Sequence, residues 1–353
     1  MTKAVELAQV ASTGVSEAFK NRIINGAMVI DQRNAGASVT GISGTYLVDR
    51  FVIQNNSGAS RFSGQQNAGS VTPPAGFRNY LGLTSTSAYS LGATDVLGVN
   101  QFIEGFNIAD LNWGTANAQT VTLSFWVRSS LTGTFGGSLS EGNAGTAFYP
   151  FSYSIPVANT WTQISVTIPG PTIGTWQTTN ARGIQVLFSI GTGSTFSGTP
   201  GSWSASNFYS ATGATSVVGT NGATFYITGV QLEVGSTATS FDYRPYGTEL
   251  NLCSRYCQVF TDTSGGYVLG SATTTTSLRC PLQLQTMRAS PTATYTTNTT
   301  FASGFRSCSS IATIAADAGV LLVGYVPTVA YTVADADYLQ ILSGGKITVS
   351  AEL

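Results

Sequence analysis

The clearest pattern along the chain is a strict alternation of apolar and polar side chains. In the run VTLSFWVRSS the apolar face holds Val121, Leu123, Phe125 and Val127, and the other face holds Thr122, Ser124, Trp126 and Arg128. A period of two is typical of an antiparallel strand with one face buried and one face in water. We therefore predict a half-buried strand here, with a polar outer face and one exposed tryptophan.

Similar runs recur between residues 45 and 245. They cover 45–54, 160–170, 182–191 and 223–235, and clusters of Gly, Asn, Ser and Pro separate them. Short strands divided by turn residues are typical of a β-sandwich or a barrel. Short β runs return after residue 264, so the sequence predicts a second, smaller β domain.

Two segments repeat their apolar residues at helical spacing instead. Residues 2–20 carry a stripe that is mostly alanine, and Gly14 weakens it, so we predict a short N-terminal helical segment. The run from Ile23 to Arg33 then has strand character around an Asn25–Gly26 turn. We expect this run to be the first strand, or a linker, of the body that follows.

The second helical segment is RPYGTELNLCSRYCQVF, residues 244–260. Leu250, Cys253 and Phe260 recur at helical spacing after Pro245, and Thr248 is a candidate N-cap. We interpret it as a connecting helix at the main domain boundary. The predicted division is 1–36 for an N-terminal segment, 37–245 for the large β domain, 246–262 for the helix and 263–353 for the small β domain.

Composition narrows the class of protein. Charged residues make up 9% of the chain, against about a quarter in average soluble proteins. The surface is therefore covered by hydroxyls, amides and glycine, which is typical of extracellular or particle-bound β proteins. The N-terminus shows no basic region followed by an apolar one, so no signal peptide is predicted. A virion protein, made in the host cytoplasm and released by lysis, satisfies both observations.

Charge and residue types exclude several functions. A net charge of −1 with scattered basic residues predicts no nucleic-acid partner, and the lack of a long apolar stretch predicts no membrane insertion. The chain has no histidine, which excludes a Ser-His-Asp triad and a His-ligated metal centre. We interpret the four cysteines as free thiols rather than zinc ligands: Cys253, Cys257, Cys280 and Cys308. No cofactor is predicted.

Carboxylate pairs are the remaining catalytic chemistry, because two acids suffice to hydrolyse a glycosidic bond. The candidates are Glu104, Asp110, Glu141 and Glu233. We favour structural roles: Glu104 as a strand-end acid that bonds backbone amides, and Glu233 as a solvated strand residue. Asp49 and Arg50 are interpreted as strand-end charges, each with some other partner.

Aromatic residues in polar loops are the more informative set. Trp113, Trp176, Trp203 and Tyr209 lie in or near loops rich in Gly, Asn, Ser and Thr. Aromatic faces beside hydroxyls and amides suit sugar rings, which stack through C–H faces and hydrogen-bond through hydroxyls. We predict that these four bind carbohydrate; the alternative is that the rings cap the ends of a sandwich core, which we favour for Trp161.

The order of the strands resembles that of the jelly-roll sandwiches of carbohydrate-binding modules. The resemblance rests on VTLSFWVRSS, NTWTQISVTIPG, GIQVLFSIG and ATFYITGVQLEVGS, over about residues 95–240. It implies a jelly-roll sandwich, and with the second β domain predicted above we expect an all-β fold: a jelly-roll sandwich followed by a smaller β-sandwich. Family members often bind a structural calcium through an acid in the final strand, where this chain has Thr228, so no metal is predicted.

A longer resemblance, to a family of bacteriophage structural proteins described as tail-fibre or receptor-binding-like, covers nearly the whole chain. It rests on NRIINGAMVIDQRNAGASVT, YLVDRF, the segment from Gln231 to Tyr256 and the final ITVSAEL. The resemblance implies a homotrimeric fibre or spike that docks on other virion proteins through residues 1–36 and binds host-surface polysaccharide through its β domains, without enzymatic activity. The alternatives are a head fibre, capsid decoration or tail adaptor with a structural role, and a glycan depolymerase.

Overall fold

The computed structural model describes residues 19–353 except 262–266, 275–276, 297–300, 304–305, 317–319, 328–335 and 342–344. Residues 2–18 of the predicted N-terminal helical segment lie outside this described part.

The chain divides into two compact units, and two short segments of the early chain belong to the second unit. The first contains the described residues of Met1–Val29, together with Ser38–Thr45 and Phe51–Arg244; the second contains Ile30–Ala37, Tyr46–Arg50 and Pro245–Leu353. The predicted boundary near residue 245 is therefore present, but two pieces of the early chain lie in the second unit.

Fourteen strands precede the boundary within residues 19–244. They are β1 (Val39–Thr40), β2 (Tyr46–Val48), β3 (Phe51–Asn55), β4 (Phe62–Gln66), β5 (Leu81–Ser85), β6 (Val96–Glu104), β7 (Val121–Ser129), β8 (Gly133–Glu141), β9 (Phe148–Ile155), β10 (Thr162–Ile168), β11 (Arg182–Thr192), β12 (Ser197–Gly198), β13 (Ser210–Ala211) and β14 (Thr224–Val234). The long alternating runs are thus strands, as predicted.

Two antiparallel sheets form the sandwich of the first unit. One sheet has the order β1-β4-β5-β14-β7-β10, and the other contains β3-β6-β11-β8-β9. Their inner faces meet in an aromatic core, where Phe125 of β7 lies 5.0 Å from Phe188 of β11 between ring centroids. The chain passes repeatedly from one sheet to the other, and the fold is a jelly-roll sandwich, as predicted.

The outer face of β7 is more covered than the alternation predicts. Trp126 is half-buried, whereas Thr122 and Ser124 are buried. The Thr122 hydroxyl donates to the carbonyl of Gly235 at 2.8 Å, because the chain after β14 folds back over this end of the strand.

The stretch NRIINGAMVIDQRNAG contains no strand, and the strand prediction for Ile23 to Arg33 is wrong. It is an irregular segment with buried apolar side chains, and its first part bonds along β14. β14 has a bulge around Gly229, and the amide of Val230 donates to the carbonyl of Gly26 at 2.9 Å. The segment therefore supplies partners for backbone groups that the bulge removes from the ladder.

The second unit is built on a short helix, a three-stranded sheet and a barrel. The helix α1 spans Tyr246–Ser254, and the sheet has the order β15 (Cys257–Thr261), β23 (Lys346–Ser350), β18 (Thr292–Tyr295). The barrel has the order β16 (Tyr267–Thr274), β17 (Ser277–Gln283), β21 (Val320–Pro327), β20 (Arg306–Ala316), β19 (Phe301–Ser303), β22 (Ala336–Ile341), and it closes through pairing of β16 with β22.

The predicted β character of this unit is therefore confirmed, and its strands form a closed barrel with a small sheet in place of the expected second sandwich. Closure leaves no unpaired edge in the barrel, which open sheets of short strands do not achieve. The helix is shorter than the predicted 246–262, because β15 begins at Cys257. Thr248 lies inside the helix and is not its N-cap; Pro245 holds that position, since its fixed φ suits the first turn.

An ionic cluster lies buried in the second unit. It consists of Arg33, Asp49, Arg50 and Glu352, which join the two inserted segments to the chain after β23. The Glu352 carboxylate accepts hydrogen bonds from both arginines, and the Arg50 guanidinium lies 3.5 Å from the ring centroid of Tyr256. Asp49 accepts two hydrogen bonds from Gln32. The prediction that Asp49 and Arg50 have separate, structural partners is confirmed.

Burial sets the pKa values of the cluster. It raises the pKa of Asp49 to about 6, against the opposing effect of Arg33. Burial lowers the pKa of Arg50, but Glu352, Tyr256, Tyr46 and Cys253 together outweigh it, so that pKa is raised. Cys253 and Cys257 are buried free thiols, as predicted, and burial raises the pKa of Cys257 to about 12. The side chains of Cys280 and Cys308 lie outside the described residues.

Two searches of the described residues give negative findings. They contain no helix whose length and apolar character would carry it across a membrane. Nor do they contain a group of three or more Cys, Asp or Glu residues that is placed to hold a metal ion.

Candidate carbohydrate-binding site

Three of the four predicted aromatic residues meet in one cluster. Trp113 lies 4.7 Å from Trp176 and 5.6 Å from Trp203 between ring centroids, and Trp176 lies 5.6 Å from Trp203. All three contacts are edge-to-face, which is a favourable arrangement for aromatic rings. We call this group the tryptophan cluster.

The tryptophan cluster is built from three separate loops and packs onto a core strand. Trp203 contacts Tyr149 of β9 at 5.3 Å. Trp113 is 6% exposed, and the other two rings are half-buried. This packing favours the core-capping role for Trp113 and leaves parts of Trp176 and Trp203 at the surface.

The indole N–H groups of the cluster all donate to backbone carbonyls. Trp113 donates to Gln119, Trp176 to Ile173 and Trp203 to Pro169, at 2.8, 2.9 and 2.6 Å. The cluster can therefore present the faces and edges of its rings to a sugar, but its indole N–H groups are already bonded.

Tyr209, the fourth predicted residue, lies apart from the cluster in a groove. Its ring packs edge-to-face on Phe148 at 5.1 Å and on Phe196 at 5.6 Å. Burial raises the pKa of its hydroxyl, so it stays protonated at neutral pH. The groove has a cavity of about 220 Å³.

The floor of the groove is the outer face of the second sheet. Gln185 of β11 pairs with Phe102 of β6 on one side and with Ser140 of β8 on the other. Since Phe188 points into the core, alternation places Gln185 on the outside. The lining residues are Gln54, Phe102, Glu141, Gly142, Asn143, Gly145, Phe148, Arg182, Gln185 and Tyr209.

The polar groups of the groove are held by defined contacts. The Arg182 guanidinium lies 4.0 Å from the ring centroid of Phe102. The Glu141 carboxylate accepts hydrogen bonds from the amides of Asn143 and Ala144, at 2.8 and 2.6 Å, and thereby orders the β8–β9 turn. The groove thus combines aromatic faces with fixed amide, guanidinium and carboxylate groups.

The other candidate acids have structural surroundings. Glu104 is buried at the end of β6, and Asp110 pairs with Arg22 at 2.6 Å. Glu233 was predicted to be solvated, and this is wrong. It is 3% exposed and accepts hydrogen bonds from Gln231 and Thr239, because the chain after β14 folds over it.

Sequence reasoning did not select Phe102, Arg182 and Gln185 for the groove. The only local signal is that Gln185 is a polar residue between Ile184 and Val186, which marks an outward position on a strand. Their meeting depends on the register of β6, β8 and β11, which the sequence does not reveal.

No protein-family model matches the chain, and no curated protein matches it. Among solved structures it is similar to a putative sugar binding protein from Bacteroides thetaiotaomicron, with 14% identity, 61% of this chain, 100% of that chain and a TM-score of 0.36. It is similar to the enzymatically active domain of bacteriophage CBA120 tailspike protein 4, with 13% identity, 61% of this chain and a TM-score of 0.31; the match spans 21% of that longer chain.

A family 11 carbohydrate-binding module from Clostridium thermocellum is also similar, with 12% identity, 57% of this chain, 96% of that chain and a TM-score of 0.28. At these TM-scores the likenesses carry no argument about ligand, activity or assembly. The architecture itself defines the class: an all-β protein with a jelly-roll sandwich and a second β unit.

Proposed function

We propose that the protein is a non-enzymatic bacteriophage virion fibre protein, a tail fibre or spike, that binds a glycan of the host surface through the groove of its sandwich. The observation that carries this proposal is the groove itself. Phe102 and Tyr209 present ring surfaces beside Gln185 and Arg182, and a sugar needs both apolar faces for its C–H groups and hydrogen-bond partners for its hydroxyls.

The carboxylates support a binding role over hydrolysis. A glycosidase of the usual kind uses two acids that flank the scissile bond. Among the described residues that line the groove, Glu141 is the sole acid, and its two oxygens already bond backbone amides. A groove with this lining holds a sugar without a second acid to activate water.

The test is binding to immobilised bacterial lipopolysaccharide and to three soluble glucan hexaoses with β-1,3, β-1,4 and α-1,4 linkages. We expect the Phe102→Ala and Tyr209→Ala variants to weaken binding by about tenfold or more each. Trp176→Ala is the matched aromatic variant from the tryptophan cluster, and it should bind like the parent chain. Failure of the parent chain to bind any of these probes would favour a structural virion protein, and release of shorter oligosaccharides would favour a depolymerase.

The virion role adds two expectations about assembly. A homotrimer would bring three weak sites together and raise the avidity for a repetitive polysaccharide. Docking on the particle is proposed through residues within 1–36, and the deletion that tests it stops at residue 18 because residues 21–30 pack into the folded units. Deleting residues 1–18 should leave a folded trimer by mass measurement that no longer incorporates into particles; a monomeric parent chain contradicts the trimer.

A further inference from the structure

One of the five tryptophans differs from the others in its hydrogen bonding. Four indole N–H groups donate to backbone carbonyls: those of Trp113, Trp161, Trp176 and Trp203. Trp126 has no such bond to any described residue, and its N–H is not among the buried atoms that lack a partner. Its donor therefore faces solvent, although half-buried tryptophans usually bond this group to the protein.

Trp126 lies on the outer face of the first sheet, opposite the groove. Phe125, its neighbour in β7, points into the core against Phe188, so Trp126 points outward. In the ladder Trp126 pairs with Gln163 of β10 and with Thr228 of β14. Since β10 is the last strand of this sheet, the ring lies one strand in from its edge.

Two polar side chains next to Trp126 are also unbonded. Gln163 lies directly opposite the ring, and Ser165 lies diagonally across the same strand pair; both are exposed and make no hydrogen bond to described residues. Side chains opposite each other in an antiparallel pair have Cβ atoms about 5 Å apart. The amide and hydroxyl groups therefore lie within reach of anything stacked on the ring.

Three other polar side chains on this face are bonded to backbone carbonyls. Thr228 donates to the carbonyl of Asn79 at 2.7 Å, Thr167 to that of Ser236 at 2.9 Å, and Arg128 to that of Asn159 at 2.9 Å. Trp126, Gln163 and Ser165 therefore place an indole N–H, an amide and a hydroxyl around one aromatic ring, and none of the three bonds a described residue. Strand propensity alone accounts for an aromatic residue in β7, but not for an indole donor left to solvent.

We propose that Trp126, Gln163 and Ser165 form a second saccharide-binding surface, which takes a neutral pyranose unit of a polysaccharide. The ring stacks on the C–H face of the sugar, and the indole N–H, the amide and the hydroxyl bond its hydroxyl groups. A neutral sugar fits because Arg128, the charged residue two positions along β7 on the same face, bonds a carbonyl and lies 5.5 Å from the ring centroid of Tyr226. The proposal rests on the glycan-binding function and adds a site on the opposite face.

The experiment uses the full chain labelled with 15N at its tryptophan indoles, which gives five N–H signals. The probes are the three glucan hexaoses named above, and Trp126→Phe assigns the signal. We expect at least one hexaose to shift the Trp126 signal in the unmutated chain and Trp126→Ala to weaken binding at this surface by about tenfold. Trp161→Phe is the matched control: it should leave the Trp126 shift unchanged.

The groove variants separate this inference from the proposed function. If the Phe102→Ala, Tyr209→Ala double variant keeps the Trp126 shift, the second surface binds independently. If that shift disappears with the groove, or if no hexaose moves the Trp126 signal, the inference is overturned while groove binding stands on its own test. If the shift persists and groove variants never lose affinity, the groove assignment fails and the Trp126 surface remains.

Discussion

The tryptophan cluster of the first unit and the ionic cluster of the second both fasten loops to strands, but they use different forces. The first is built from three indole rings whose donors bond backbone carbonyls. The second is built from four charged side chains, Arg33, Asp49, Arg50 and Glu352. A cluster of packed rings loses stability when side-chain volume is removed. A cluster of buried charges loses stability when one partner is removed, and its stability also depends on pH.

The comparison teaches which probe reports which unit. All five tryptophans lie in the first unit, between residues 113 and 203, so indole fluorescence follows the sandwich. The ionic cluster is better followed by hydrogen exchange of the amides in β15 and β23, which pair with each other. The predictions below use these two readouts to separate the clusters.

The largest effect is expected for Trp113→Ala. This ring is 6% exposed and contacts both other rings of the cluster, so truncation should lower the free energy of unfolding of the first unit by about 3–5 kcal/mol. Urea unfolding followed by fluorescence of the remaining tryptophans measures it. Hydrogen exchange of the amides in β15 and β23 should be unchanged. A loss in the free energy of unfolding of the first unit below about 1 kcal/mol would mean that Trp113 is not part of the core.

Arg50→Met should have the next largest effect, in the second unit. The substitution keeps apolar volume beside Tyr256 but removes one of the two guanidinium partners of Glu352, and a buried charge left short of partners costs about 3 kcal/mol. Arg50 has a φ of 72°, and a methionine at this position has the same backbone strain. Faster exchange in β15 and β23 is the measurement.

A companion variant tests the cause. Arg50→Met combined with Glu352→Gln removes the uncompensated charge, so it should recover part of the loss. An unchanged loss would show that the packing of the arginine, and not its charge, stabilises this region.

The pH dependence of Asp49 gives a smaller effect. Burial raises its pKa to about 6, against about 3.9 in an unfolded chain. Between these values the folded state binds more protons, so the stability of the second unit should fall as pH rises from about 4 to 6. Exchange of β15 and β23, corrected for intrinsic rates at each pH, measures the slope.

Asp49→Asn should flatten that slope, because the amide does not titrate. Asp110→Asn, a change at an exposed ion pair of the first unit, is the matched control and should leave the slope of stability against pH unchanged. A slope of the opposite sign in the parent chain would contradict the raised pKa.

The smallest effect is expected for Trp176→Ala. Its ring is half-buried at the rim of the tryptophan cluster, so the first unit should lose about 1–2 kcal/mol. Comparing this loss with glycan binding distinguishes the two roles considered for the ring. If Trp176→Ala keeps its fold but loses affinity for the glycan, the ring is a sugar contact. If the affinity is unchanged, the ring is a cap of the core.

Long alternating segments were predictable from the sequence, and β7, β10, β11 and β14 show why. Each has a buried face whose period of two is visible without knowledge of the neighbours. NRIINGAMVIDQRNAG was not predictable, because a short apolar run reads alike in a strand and in a buried irregular segment. What decides its form is the bulge at Gly229, about 200 residues later in the chain.

The residue types of the candidate site were predictable from the sequence, but its position on the sandwich was not. Local composition selected aromatic residues in polar loops, and the three tryptophans do meet. The groove, however, is assembled by register: Gln185 meets Phe102 and Ser140 across two strand pairs. Nothing in the letters around Phe102 distinguishes it from a core residue.

The exchanged segments have a consequence for how the chain is made. Arg50 and its partner Glu352 are 302 residues apart, and a ribosome adds about 5–20 residues per second, so the arginine waits roughly 15–60 s for its carboxylate. During that interval Asp49 can meet Arg33 and Gln32, which lie nearby in the chain, but Arg50 lacks Glu352. Closing so long a loop is slow, and a chain that stops before Glu352 never completes the cluster. The ionic cluster can therefore assemble only after translation has passed Glu352.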